Sequence, residues 1–176
     1  MKWLLIVVGV LAAILVAVIA AGMALPQNHV ATRSAHLSAP PDKVWSIVTD
    51  AQAYPTWRSD VASVEMLSGP DGGKISWREV SPKGNKLAYE ATTAEAPSHF
   101  VTVIADKGLP FGGSWDYRIA PDGTGSKITI TENGEVYNPI FRFVSRYVIG
   151  HAATLDKYLT ALASKVGDTY VPTGKT

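Results

Sequence analysis

Twenty-three residues from Trp3 to Leu25, WLLIVVGVLAAILVAVIAAGMAL, carry no charge. At about 1.5 Å per residue a helix of this length reaches about 34 Å, beyond the roughly 30 Å hydrocarbon core of a bilayer. The stretch therefore predicts a single membrane-spanning anchor. Lys2 precedes it and no charge follows until Arg33, so the positive-inside rule places the N-terminus in the cytoplasm and the rest of the chain on the non-cytoplasmic side. The competing reading is a cleaved signal peptide with Lys2 at its charged start and Gly22-Met23-Ala24 at its cleavage site, which would make the protein secreted. The apolar run is longer than the roughly 7–15 residues usual for that core. A buried core helix fits less well, because the segment is apolar on every face and Pro26 stops it.

Residues 26–29 then form a short linker, 30–166 the domain and 167–176 a tail expected to fray. Val30 to Ser38 can extend as a strand. Ala39-Pro40-Pro41-Asp42 breaks it and starts a helix in which Val44, Trp45 and Val48 share a face. A second short helical stretch runs from Thr49-Asp50 to Tyr54-Pro55-Thr56-Trp57. From Val61 to Tyr137 short strands alternate with turn chemistry at Gly69-Pro70-Asp71-Gly72-Gly73, Ser81 to Asn85, Ala96-Pro97-Ser98 and Pro121 to Gly125. Six strands follow the helices, making seven. Asn138-Pro139 is an N-cap with an N1 proline, and Gly167 is a C-terminal stop. The helix predicted between them, Ile140 to Val166, carries Ile140, Val144, Tyr147, His151, Leu155, Tyr158 and Leu162 on one stripe. The elements make an α+β fold whose long C-terminal helix packs on an antiparallel sheet.

Composition narrows the chemistry. Sixteen Lys and Arg against fifteen Asp and Glu leave a net charge of +1, which gives no basis for a nucleic-acid partner. The absence of cysteine removes disulfides, thiolate nucleophiles and Cys-metal sites together. His29, His36, His99 and His151 are too scattered for a metal motif, and no nucleotide-binding glycine pattern or G-x-S-x-G elbow is present. Neither a cofactor nor a metal is expected.

Three segments resemble the START-like SRPBCC, or helix-grip, superfamily, and within it the polyketide cyclase/dehydrase branch. Ser38-Ala39-Pro40-Pro41-Asp42-Lys43-Val44-Trp45 is similar to the family's strand-to-helix start, Tyr54-Pro55-Thr56-Trp57-Arg58 to its "yPxW" turn, and Gly123 to Thr129 to the hairpin before its last strand. The resemblance covers about Val30 to Val166. It implies a seven-stranded curved antiparallel sheet wrapped on the C-terminal helix, with a ligand between them. It says little about chemistry, since members bind lipids, hormones, quinones or polyketides and many have no established activity.

Alternation places Trp115, Tyr117, Ile128 and Ile130 on the inner sheet face, with Trp77 and Tyr89 on neighbouring strands. Together with Tyr147, His151 and Leu155 from the helix they are the candidate ligand-binding residues. Taken singly each aromatic is better explained by core packing, while the set as a whole predicts a largely apolar pocket. Glu132 continues the parity of Ile128 and Ile130 unless Gly134 marks a bulge, and with His151 it is the candidate catalytic pair for enolisation or dehydration. An ion pair with Arg78 is an alternative for Glu132, and a core hydrogen bond for His151. Asp106 to Gly113 is a loop suited to gating the cavity mouth. Three functions follow: a membrane-tethered binder of a hydrophobic small molecule or lipid, a cyclase, dehydratase or isomerase using Glu132 and His151, and an envelope interaction module with a filled core.

Overall fold

The structure, a computed structural model, describes residues 1–68, 74–150 and 152–172. Lys2–Ala24 form helix α1, long and apolar enough to cross a membrane or to serve as a signal sequence. Strand β1, Asn28–Leu37, starts two residues before the expected Val30 and takes in His29. Helix α2, Pro41–Thr49, begins on a proline whose missing amide costs nothing at that position, and buries Val44, Ile47 and Val48. The stretch after it is a 3-10 turn, Ala51–Thr56, whose Ala53 amide donates to the Asp50 side chain at 3.3 Å.

Six strands follow: β2 (Ser63–Ser68), β3 (Ser76–Val80), β4 (Lys86–Glu95), β5 (His99–Ile104), β6 (Phe111–Asp122) and β7 (Gly125–Val136). They form one antiparallel sheet in the order β1-β7-β6-β5-β4-β3-β2. Among the described residues only the β1–β7 pairing joins strands distant in sequence. Register shifts at Met66/Ser68 and Ala91/Thr93 interrupt the ladder, the kind of irregularity that bends strands and curves a sheet. The turn expected at Gly69 to Gly73 lies outside the described residues.

The C-terminal helix is not the continuous rod that the 3.6-residue stripe predicts. Helix α3 covers Pro139–Val144, with the Asn138 side chain accepting the Ile140 and Phe141 amides at 2.9 and 3.3 Å. A π-helical segment, Ser145–Ile149, follows and ends at Gly150, whose φ of 82° is costly for any residue with a Cβ. Helix α4, Ala153–Val166, then resumes and is closed by left-handed Gly167 as expected. Periodicity missed the break because the π segment adds a residue per turn, so the stripe changes face while the apolar residues continue.

The hydrophobic core lies under α4 and α2. Val44, Val48, Ile128, Ile130, Leu155, Leu159 and Leu162 are completely buried there. The tail expected to fray is fastened as far as Tyr170: Asp168 accepts the Ser38 amide at 2.7 Å, and the Tyr170 hydroxyl donates to Asp156 at 2.7 Å. Asp156 also holds the inward-facing Arg33 of β1 at 3.0 Å.

Candidate functional site

Where α4 presses on the sheet Leu155, Leu159 and Leu162 are completely buried; where α3 and the π segment stand over it there is a cavity of about 450 Å³. Its sheet wall comes from inward positions of β3 to β7, including Trp77, Tyr89, Thr102, Trp115, Tyr117 and Glu132, and its roof from Phe141, Val144, Ser145 and Gly150. The volume falls within the range of sites for drug-sized molecules, and most of the surface it exposes is apolar. Trp77 and Tyr89 face each other across β3 and β4 and stack with centroids 5.7 Å apart. Trp115 meets Tyr158 of α4 edge-on at 5.5 Å, which closes the cavity towards the packed core.

The inward positions expected from alternation divide into two groups. Trp77, Tyr89, Trp115, Tyr117 and Glu132 line the cavity. Ile128, Ile130 and Leu155 do not: all three are sealed in the core, because α4 covers that stretch of β7. Tyr147 does not line it either. Its ring lies 5.0 Å from that of Phe143 in the displaced π turn and is 64% exposed. His151 lies outside the described residues.

Glu132 keeps the parity of Ile130, since β6 and β7 stay in register through Gly113 and Gly134. Gly134 is not a bulge; the His29 imidazole occupies the space that a side chain there would need. That imidazole hydrogen-bonds to Glu132 at 3.0 Å, while the Trp115 indole donates at 2.8 Å and the Thr154 hydroxyl at 3.1 Å. Arg78, the partner considered for Glu132, instead pairs with Glu65 at 3.0 Å on the other face of β3.

A second polar group stands on the opposite wall. Arg58 donates to Glu79 at 3.0 Å and to Asp60 at 2.9 Å, and the Trp77 indole also donates to Glu79, at 3.1 Å. The guanidinium lies over the rings of Tyr54 and Tyr158, 4.9 and 5.4 Å from their centroids. Burial alone would lower the Arg58 pKa, but the Glu79 charge and the Asp60 hydrogen bond outweigh it and hold the group above its ordinary value. Burial also tends to raise the Asp60 carboxyl, yet the Arg58 hydrogen bond and charge pull it below the usual value. Burial pushes Tyr54, Tyr89, Tyr117 and Tyr158 well up, so all four are neutral hydroxyls at physiological pH. The Nε–H of Arg58 is buried without an acceptor among the described residues.

Sequence reasoning missed His29, Tyr54, Arg58 and Glu79. The available signals were the parity of Trp77 and Glu79 on one strand and the arginine closing the Tyr54-Pro55-Thr56-Trp57-Arg58 turn. That turn delivers Tyr54 and Arg58 together to one wall.

Residues 28–167 match the family model described as polyketide cyclase/dehydrase and lipid transport. The chain belongs to this family. Solved structures agree on the fold. A START superfamily protein from Mycobacterium smegmatis is 19% identical with a TM-score of 0.62, over 79% of this chain and 97% of its own. The Zhui aromatase/cyclase from Streptomyces sp. R1128 is 13% identical with a TM-score of 0.67, over 80% and 94%. A protein from Thermus thermophilus is 19% identical with a TM-score of 0.64, over 78% and 97%. No curated protein matches the chain in sequence.

Proposed function

We propose that the protein binds a hydrophobic small molecule or lipid while tethered to a membrane by α1, with its N-terminus cytoplasmic and its domain on the non-cytoplasmic side. The observation that carries this reading is the cavity beneath α3 and the π segment, apolar over most of its wall and bounded by polar groups on two sides. Trp77, Tyr89, Trp115 and Tyr117 supply flat apolar contact, and Phe141 and Val144 close over the ligand. The Arg58 guanidinium and the neutral Tyr89 hydroxyl, both on the cavity wall, suit an oxygen at one end of that ligand, so the favoured occupant is an amphiphile with a compact hydrogen-bonding end. Membership of a family whose description includes lipid transport agrees with this class.

A cyclase or dehydratase is the second reading, favoured by the His29–Glu132 pair on the cavity wall and by the likeness to an aromatase/cyclase. Here His29 takes the place proposed for His151 as the partner of Glu132. Both Glu132 oxygens already accept hydrogen bonds, from His29 on one and from Trp115 and Thr154 on the other, which makes the carboxylate better placed to fasten β1, β6 and α4 than to take a substrate proton. Native mass spectrometry of the full chain purified from its own host, followed by organic extraction, tests the first reading. A stoichiometric apolar adduct supports it. A bare mass after incubation with host lipids and quinones contradicts it and favours the interaction module. Turnover of the extracted species that is lost in His29→Ala and Glu132→Gln would establish the second reading.

A further inference from the structure

The end of α1 is built into the roof of the cavity. Arg142 of α3, buried, donates to the Leu25 carbonyl at 2.9 Å and to the Tyr137 carbonyl at 3.1 Å. It thus places a cation at the C-terminal, negative end of the α1 dipole. Gly22 of α1 packs directly on the backbone of Pro139, so α3 starts level with the last turn of α1 and not beyond it. The same region carries a cluster of exposed apolar side chains: Phe111, Tyr137, Ile140, Phe141, Tyr147 and Val148. Phe111 and Phe141 belong both to this surface and to the cavity lining, so the mouth opens within it. Exposed Lys83, Lys86 and Lys107 stand on the corresponding end of the sheet, and Arg146 on the π segment.

A water-facing domain gains nothing by gathering large apolar side chains around its opening. Fixed at the exit level of a membrane-spanning helix, with aromatic and basic residues at its rim, the same surface matches the interfacial zone of a bilayer. We infer that α3, the π segment and Phe111 lie in the interface of the membrane that α1 spans, and that the cavity opens sideways into the lipid, from which its ligand enters without crossing water. This inference rests on the tethered reading proposed above and adds the surface and the route.

The absence of cysteine makes the test direct. The full chain is reconstituted in vesicles of phosphatidylcholine and phosphatidylglycerol with one environment-sensitive fluorophore on Phe141→Cys, Tyr147→Cys or Val148→Cys. Leu11→Cys marks the centre of α1, and Thr124→Cys marks the opposite end of the sheet. Lipids spin-labelled at shallow and deep positions serve as quenchers. The expected result is deep quenching at position 11, and shallow quenching at 141, 147 and 148 about threefold stronger than at 124, reflecting insertion to interfacial depth. Quenching at 11 with the three roof positions matching 124 overturns the inference and leaves the tether standing. Blue-shifted emission at the roof positions without quenching by lipid means that protein covers the surface, and also overturns it. No quenching at 11 removes the tether and the inference together.

Discussion

Strand β7 passes through two different interiors. Ile128 and Ile130 are completely buried under α4, whereas Glu132, two residues further along the same face, borders open space. The sheet does not change between these points; its cover does. On one side of Gly150 a regular helix presents Leu155, Leu159 and Leu162 to the sheet at core density. On the other side α3 and a π turn stand off it and direct part of their apolar surface outward. A helix break therefore divides one amphipathic stripe between a core and a cavity roof. The first region holds the fully buried core and the second the open space in which a ligand is proposed to sit.

The largest effect that would sharpen this contrast is alkaline unfolding, which involves both regions. Tyr158 lies in the core, while Tyr54, Tyr89 and Tyr117 line the cavity. All four have folded pKa values raised by burial, so their stabilising contribution is fully present below the unfolded value near 10 and is lost as pH rises towards the folded values. Each loses up to about 1.4 kcal/mol of that contribution per pH unit between the unfolded and folded values. Thermal melts should be level through neutral pH and fall steeply above about pH 10. Leu159→Ala should cost about 3 kcal/mol in chemical denaturation while leaving ligand capacity per folded molecule unchanged; equal damage to both would dissolve the distinction.

Arg58→Met leaves Glu79 charged and half-served in the wall, and should also cost about 3 kcal/mol. Adding Glu79→Met should restore much of that stability, because the orphaned charge goes with it. Val144→Trp places a large ring in the cavity roof, and should shift stability by about 1 kcal/mol or less while lowering affinity for an apolar probe about tenfold. A large stability loss with binding intact would show that the space beneath α3 is not where ligand sits. Gly150→Ala is expected to cost about 1 kcal/mol from the positive φ. It should also perturb binding, since Gly150 sets the angle of the roof.

Strand alternation and turn chemistry made the seven strands legible, and the Asn138-Pro139 cap and the Gly167 stop located the two ends of the C-terminal helical region. The parity of Ile128, Ile130 and Glu132 was equally readable, as was the inward direction of Trp77 and Trp115. Which inward residues meet ligand and which meet α4 was not, because periodicity reports the face of an element and not the distance of the element packed against it. Tyr147 shows the limit most clearly: it belongs to the stripe by count, but the π turn rotates it to the surface. Arg58 and Glu79 were hidden for another reason. They come from separate elements, and only the fold of the Tyr54–Arg58 turn onto β3 joins them.

The most direct measurement is photo-crosslinking of the full chain in lipid nanodiscs with a diazirine-bearing long-chain alcohol, mapped by peptide mass spectrometry. Adducts should concentrate on Trp77, Tyr89, Trp115, Phe141 and Val144, with none on Leu155, Leu159 or Leu162. Adducts confined to α1 and the outer surface, or spread equally onto α4, would contradict a binding cavity beneath α3.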